Sequence, residues 1–158
     1  MEESLFDEVA DVVLGLVPKE LGTPRCRARR YGIKVWFGNE TPAKEHYEAQ
    51  VIGADAVDDA TTLALEVGFH AEHPRVAEND AVIDRLLDSE PRWRRVIGDE
   101  AVAGPFIGRA DAWRRISETW PDPDLGDEGV AFELGVRLTD YITGLEPLLR
   151  KTSGGSSS

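Results

Sequence analysis

The chain has few of the residues that most often carry covalent or metal chemistry. Of 158 residues, one is cysteine, one is methionine and three are histidine. A lone Cys26 cannot close an internal disulfide, and without a Cys-x-x-Cys pair there is no thiolate metal site or dithiol redox couple. A reducing cytoplasm is the expected compartment. No apolar run approaches the roughly 20 residues of a membrane span; even residues 12–17 are interrupted by Gly15 and stopped by Pro18. The first residues carry Glu2, Glu3, Asp7 and Glu8, the wrong sign for a secretory or transit peptide. Positive charge is scarce as well, with 18 Lys and Arg against 30 Asp and Glu, for a net charge of −12. That balance repels phosphate backbones and anionic membranes at long range, so neither general nucleic-acid binding nor membrane attachment is expected. There is no phosphate-cradling glycine loop, no Gly-x-Ser-x-Gly elbow and no helical zinc-protease motif.

What is present is the composition of a soluble globular domain, 41% hydrophobic and 30% charged. A chain this long buries about two-thirds of its unfolded surface in one core. One domain over 1–151 is expected, followed by a disordered Gly/Ser-rich tail over 152–158.

Apolar spacing then assigns the elements. Ser4 caps a helix over 5–17 with Leu5, Val9, Val12, Val13 and Leu16 on one face. Residues 25–37 alternate with period two and read as one strand, Tyr31, Ile33, Val35 and Phe37 against Arg30, Lys34 and Trp36. Residues 46–54 and 63–72 read as the next strands, the second carrying Leu63, Leu65, Val67 and Phe69 in strict alternation. A helix near 80–88 capped by Asn79 follows, then a short helical turn capped by Ser89 with Pro91 in its first turn and Gly98 at its close. Residues 102–109 and 112–120 read as strands, the first weakened by Gly104 and Pro105 and therefore placed at a sheet edge. A helix over 127–149 ends the domain. The order α-β-β-β-α-β-β-α predicts an α+β fold: a five-stranded, mostly antiparallel sheet with helices on one face.

That element order, with the low isoelectric point, resembles the small acidic chaperones of type III secretion systems. The resemblance implies a dimer that holds a peptide or protein partner. Apolar helix faces broader than one sheet face can cover point the same way, to a homodimer.

Two constellations carry chemistry. His46, Glu48, His70 and Glu72 occupy even positions of two neighbouring strands, opposite Tyr47, Val67 and Phe69. If positions summing to about 118 face one another, His46 opposes Glu72 and Glu48 opposes His70, with Cβ atoms about 5 Å apart. Two imidazoles and two carboxylates suit zinc, iron or manganese, or a metal-free acid–base site. The competing reading is ordinary cross-strand pairing of opposite charges on a solvated face. The second constellation is arginine beside aromatics, with Arg30, Lys34, Trp36, Trp113 and Arg114 as candidate ligand contacts for an anion or nucleotide. Against it stands simple pairing of these cations with abundant Asp and Glu. Cys26 lies among Arg25, Arg27 and Arg29, which would activate its thiol if exposed.

Three functions follow from these residues. The leading expectation is a non-catalytic adaptor or chaperone-like domain with a protein or peptide partner and no cofactor. The alternatives are a small metal-assisted enzyme or ligand-binding domain using the His/Glu cluster, for which a divalent metal is the cofactor, and an anion or nucleotide binder.

Overall fold

The computed structural model describes residues 4–154. Its main elements are α1 (Leu5–Leu16), β1 (Arg25–Arg29), β2 (Gly32–Trp36), β3 (Glu45–Gly53), β4 (Leu63–Ala71), α2 (Val76–Leu87), α3 (Glu90–Ile97), β5 (Val102–Phe106), β6 (Arg109–Pro121) and α4 (Val130–Gly154). The strands form one antiparallel sheet in the spatial order β1-β2-β3-β4-β6-β5. The fold is α+β, with helices packed on one sheet face as the apolar spacing predicts. No described helix is long and apolar enough to cross a membrane.

The sheet has six strands rather than five, because the segment expected as one strand over 25–37 doubles back at Arg30-Tyr31. Arg29 pairs with Gly32 and Arg25 with Trp36. The turn shifts the phase of the alternation: Cys26 and Ala28 pack toward the core from even positions, Ile33 and Val35 from odd ones. With α3 counted, the order becomes α-β-β-β-β-α-α-β-β-α. It departs from the order on which the likeness to secretion chaperones rests. β5 lies at a sheet edge, as its Gly and Pro predict.

Helix ends follow local chemistry. Ser4 and Asp7 form a reciprocal capping box at the start of α1. α2 begins at Val76, earlier than expected, and Arg75 rather than Asn79 occupies its N-cap position without a side-chain bond. Asn79 is instead fully buried. Its amide accepts from the His73 N–H and donates to the carbonyls of His73 and Ala112, tying α2 to β6. α4 reaches Gly154, three residues into the expected tail, and residues 155–158 of that tail lie outside the described residues.

One core holds these layers together. Phe6, Val9 and Val13 of α1, Val67 and Phe69 of β4, Trp93 of α3, and Leu134, Leu138, Tyr141 and Leu145 of α4 are all almost completely buried. Burying one such side chain contributes about 1.5–3 kcal/mol. A one-residue slip of β4 would turn Leu65, Val67 and Phe69 outward together, so the core fixes which residues face away. α1 and α4 approach closely at Gly135, where a Cβ would stand 2.5 Å from the Val12 side chain. The face left free of helices carries the even positions of β2, β3 and β4, and that is where the polar clusters gather.

Candidate metal centre

The register of β3 against β4 is shifted by two residues from the expected one. His46 pairs with His70, and Glu48 with Gly68. Side-chain packing explains the shift. This register sets Tyr47 against Phe69, ring centroids 5.5 Å apart, where the expected one would oppose each ring to an alanine. A shift of two preserves the face, so His46, Glu48, His70 and Glu72 still converge. Glu72 lies just past the end of β4, held in line by its N–H on the Lys44 carbonyl.

The four side chains form a closed ring. His46 Nε2 lies 3.0 Å from Glu48 Oε1 and 3.3 Å from Glu72 Oε2. His70 Nδ1 lies 3.1 Å from the same Glu48 oxygen and 3.3 Å from the same Glu72 oxygen. All four atoms fall within 4.8 Å of one another. Ligands about 2.0–2.2 Å from a tetrahedral ion stand about 3.4 Å apart, and the four His–Glu spacings of the ring come near that value. Both imidazoles are buried, while the Glu48 and Glu72 side chains are each 12% exposed and form the ring's contact with solvent.

The outer nitrogens are also engaged. His46 Nδ1 donates to the Ala43 carbonyl at 3.1 Å. His70 Nε2 donates to Glu66 Oε2 at 2.7 Å, and Gln50 Nε2 donates to the other Glu66 oxygen at 2.7 Å. A carbonyl can only accept, and so can an ionised carboxylate; each outer nitrogen therefore carries its proton. Every inner nitrogen is then left either with a second proton or with a lone pair aimed into the ring.

The electrostatics of the ring follow from that geometry. Burial disfavours a charged His70, but Glu66, Glu48 and Glu72 overcome it and hold its pKa well above the ordinary histidine value. Burial likewise opposes charge on His46, and its bonds to Glu48 and Glu72 raise its pKa in spite of the neighbouring His70. Burial alone would push the Glu48 carboxyl up, yet both histidines pull it down to about 2. Against burial, both histidines lower Glu72, and His70 with Ser117 and Gln50 lowers Glu66. Both imidazoles are thereby biased toward the charged form by the carboxylates around them. This is no solvated face of exposed cross-strand pairs.

The face is shielded without a second layer of helices. The strand connection before β3 supplies Ala43 beside His46. From the other side, Phe106 sets its ring edge-on to His70 at 4.5 Å, with Trp113 on Phe106 and Arg109 stacked over Trp113.

The second predicted constellation is divided. Arg30 and Lys34 line one cleft with Arg27, Arg29, Glu48 and Gln50. Trp36 lines an adjoining recess with Arg27, Arg29, Lys34 and His46. Trp113 stands at the far end of the face under Arg109. Arg114 points to the helices instead, where Asp80 of α2 accepts its Nε at 2.6 Å, because strand alternation turns it away from Trp113 and Arg115. Cys26 is also turned inward, and burial pushes its thiol up to about 11, so it is not an activated nucleophile. Glu118 belongs to the helix face, bound by Arg137, Trp120 and Tyr141.

Sequence reading missed Glu66, Gln50, Ala43 and Phe106. Glu66 had a signal: it shares the even positions of β4 with His70. A backbone carbonyl such as that of Ala43 leaves no trace in side-chain patterning. The chain matches no protein-family model, no curated protein and no solved structure.

Proposed function

We propose that this is a metal-binding domain in which His46, Glu48, His70 and Glu72 hold one divalent first-row transition ion: zinc, iron or manganese. One observation carries the reading. Both outer imidazole N–H groups are fixed by acceptors, Ala43 and Glu66, and this turns Nε2 of His46 and Nδ1 of His70 toward two carboxylate oxygens at near-ligand spacing. An outer acceptor that sets tautomer and ring orientation is the usual support of a ligating histidine. An ion would take the place of the two inner protons.

Four protein ligands would fill a four-coordinate shell, the pattern of a structural or tightly held ion. Reaction at the ion would require an outside ligand to displace Glu48 or Glu72, the two ligands that reach solvent. The peptide-holding role expected from element order and charge ranks second, since it draws on no particular set of side chains.

Loading purified protein with zinc or manganese, dialysing it and counting metal tests the proposal. One ion per chain is expected in the wild type and none in His46→Ala or His70→Ala. Wild-type protein that retains neither metal would overturn it.

A further inference from the structure

A second binding site adjoins the metal centre on the same face. Across the register, Arg27 of β1 pairs with Lys34 of β2, and Lys34 with Glu48 of β3. Opposite charges in register would be expected to pair, yet Lys34 makes no ion pair within 4.0 Å among the described residues, because Glu48 is turned to His46 and His70. Arg27, Arg29 and Arg30 also lack a carboxylate partner among the described residues. Arginines elsewhere divide: Arg94 pairs with Glu90, Arg114 with Asp80 and Arg137 with Glu118 and Asp140, while Arg92 and Arg95 stand singly on an exposed helix face. What distinguishes Arg27, Arg29, Arg30 and Lys34 is that four cations stand side by side on one cleft in a chain of net charge −12.

They line a cleft of about 280 Å³ whose floor includes Glu48 and Gln50. Volume at the lower end of small-molecule sites fits a ligand of metabolite size rather than a polymer. The adjoining recess is lined by Arg27, Arg29, Lys34, Trp36 and His46. Trp36 has a buried indole N–H that no acceptor satisfies. Leaving a buried donor unpaired is costly. Arg27, Arg29 and Lys34 offer donors only, so the chemistry lacking between them is an acceptor with negative charge.

We propose that this cleft binds a small oxyanion, a phosphate or carboxylate group of a metabolite-sized ligand, through Arg27, Arg29 and Lys34. Binding of the anion rests on these residues and not on the metal. Its place against Glu48 puts the ligand next to a group that also belongs to the proposed metal shell, so on the metal reading it is the outside ligand best placed to reach the ion.

Titration calorimetry on chelator-treated full-length protein at low ionic strength tests the cleft alone, with inorganic phosphate in one arm and malonate in the other. Saturable one-to-one binding of either anion supports the proposal, and the arm that binds names the group. Arg27→Gln and Arg29→Gln should each weaken binding at least tenfold. Arg92→Gln and Arg95→Gln, which remove the same charge from exposed positions of α3, should leave it unchanged. Absence of saturable binding in both arms would overturn the proposal, as would equal weakening by the α3 variants. Because no metal is present, failure here leaves the metal reading standing, and failure of metal loading leaves this result standing.

Discussion

His70 and Glu66 stand four residues apart on β4, and their side chains meet at 2.7 Å. On an extended strand such residues are about 13 Å apart along the backbone. Between them lies Gly68, where the β4 backbone runs close against β6. Gly68 has a φ of +155°, and a Cβ there would stand 2.3 Å from the Ile116 carbonyl oxygen and 2.5 Å from Ser117 Cα. Backbone, not a flexible side chain, blocks that space. Gly68→Ala should therefore destabilise the protein by about 2–4 kcal/mol, combining overpacking with backbone strain. Denaturant unfolding of the chelated variant measures it. A loss under about 0.5 kcal/mol, the range of ordinary surface substitutions, would contradict the packing described.

Glu66 orients His70 without belonging to the ring. Glu66→Gln keeps every ligand and exchanges an ionised acceptor for a neutral amide. Metal affinity should fall about 10- to 100-fold while stoichiometry stays at one. Competition against a chromophoric chelator reads the affinity. An unchanged affinity would mean that the His70–Glu66 bond does not support metal binding.

His70→Ala should act on two separable quantities. Removing a fully buried imidazole leaves Glu48, Glu66 and Glu72 without their shared partner, so the chelated variant should lose about 3–5 kcal/mol. This differs from the expectation for a solvated face, where chelated wild type and variant would melt alike. The second quantity is the gain from metal. Wild type should gain about 2.7 kcal/mol at an ion concentration one hundred times its dissociation constant, and the variant nothing. Thermal melts of both proteins, with and without chelator, separate the two.

Asp122 gives a pH dependence away from the metal. At a φ of 48°, its carboxylate accepts the N–H groups of Thr61 and Thr62 at 2.7–3.0 Å and both threonine hydroxyls, clamping the β3–β4 connection to the end of β6. Those bonds, led by the Thr62 N–H, lower its carboxyl from an ordinary 3.8 to about 2. A depressed carboxyl stabilises the fold above its unfolded value, so the clamp is complete above about pH 3.8 and is lost as pH falls through about 2. Protection of the Thr61 and Thr62 amides against hydrogen exchange should follow that window and be missing at all pH values in Asp122→Ala. Protection that persists in the variant would remove the clamp from the account.

Much of this was legible in the chain because hydrophobic alternation is a strong signal. Leu65, Val67 and Phe69 fix one face of β4, and parity then places His46, Glu48, His70 and Glu72 together on the other. Register was less legible, since a slip of two keeps every residue on its face; the contact between Tyr47 and Phe69 decides it, and that is a tertiary effect. The β1–β2 hairpin left a readable trace in the phase change between Cys26, Ala28 and Ile33, Val35. Its turn at Arg30-Tyr31 lacks the Gly or Asn that would have announced it. Burial of the histidines was not legible, because Phe106 and the Ala43 segment reach them from distant parts of the chain.

X-ray absorption at the zinc edge of the loaded wild-type protein tests the central claim most directly. Expected is a four-coordinate ion with two imidazole nitrogens near 2.0 Å and two carboxylate oxygens at about 2.0–2.2 Å, and no bound ion in His46→Ala. A shell without imidazole scattering, or one containing a sulfur near 2.3 Å from Cys26, would contradict it.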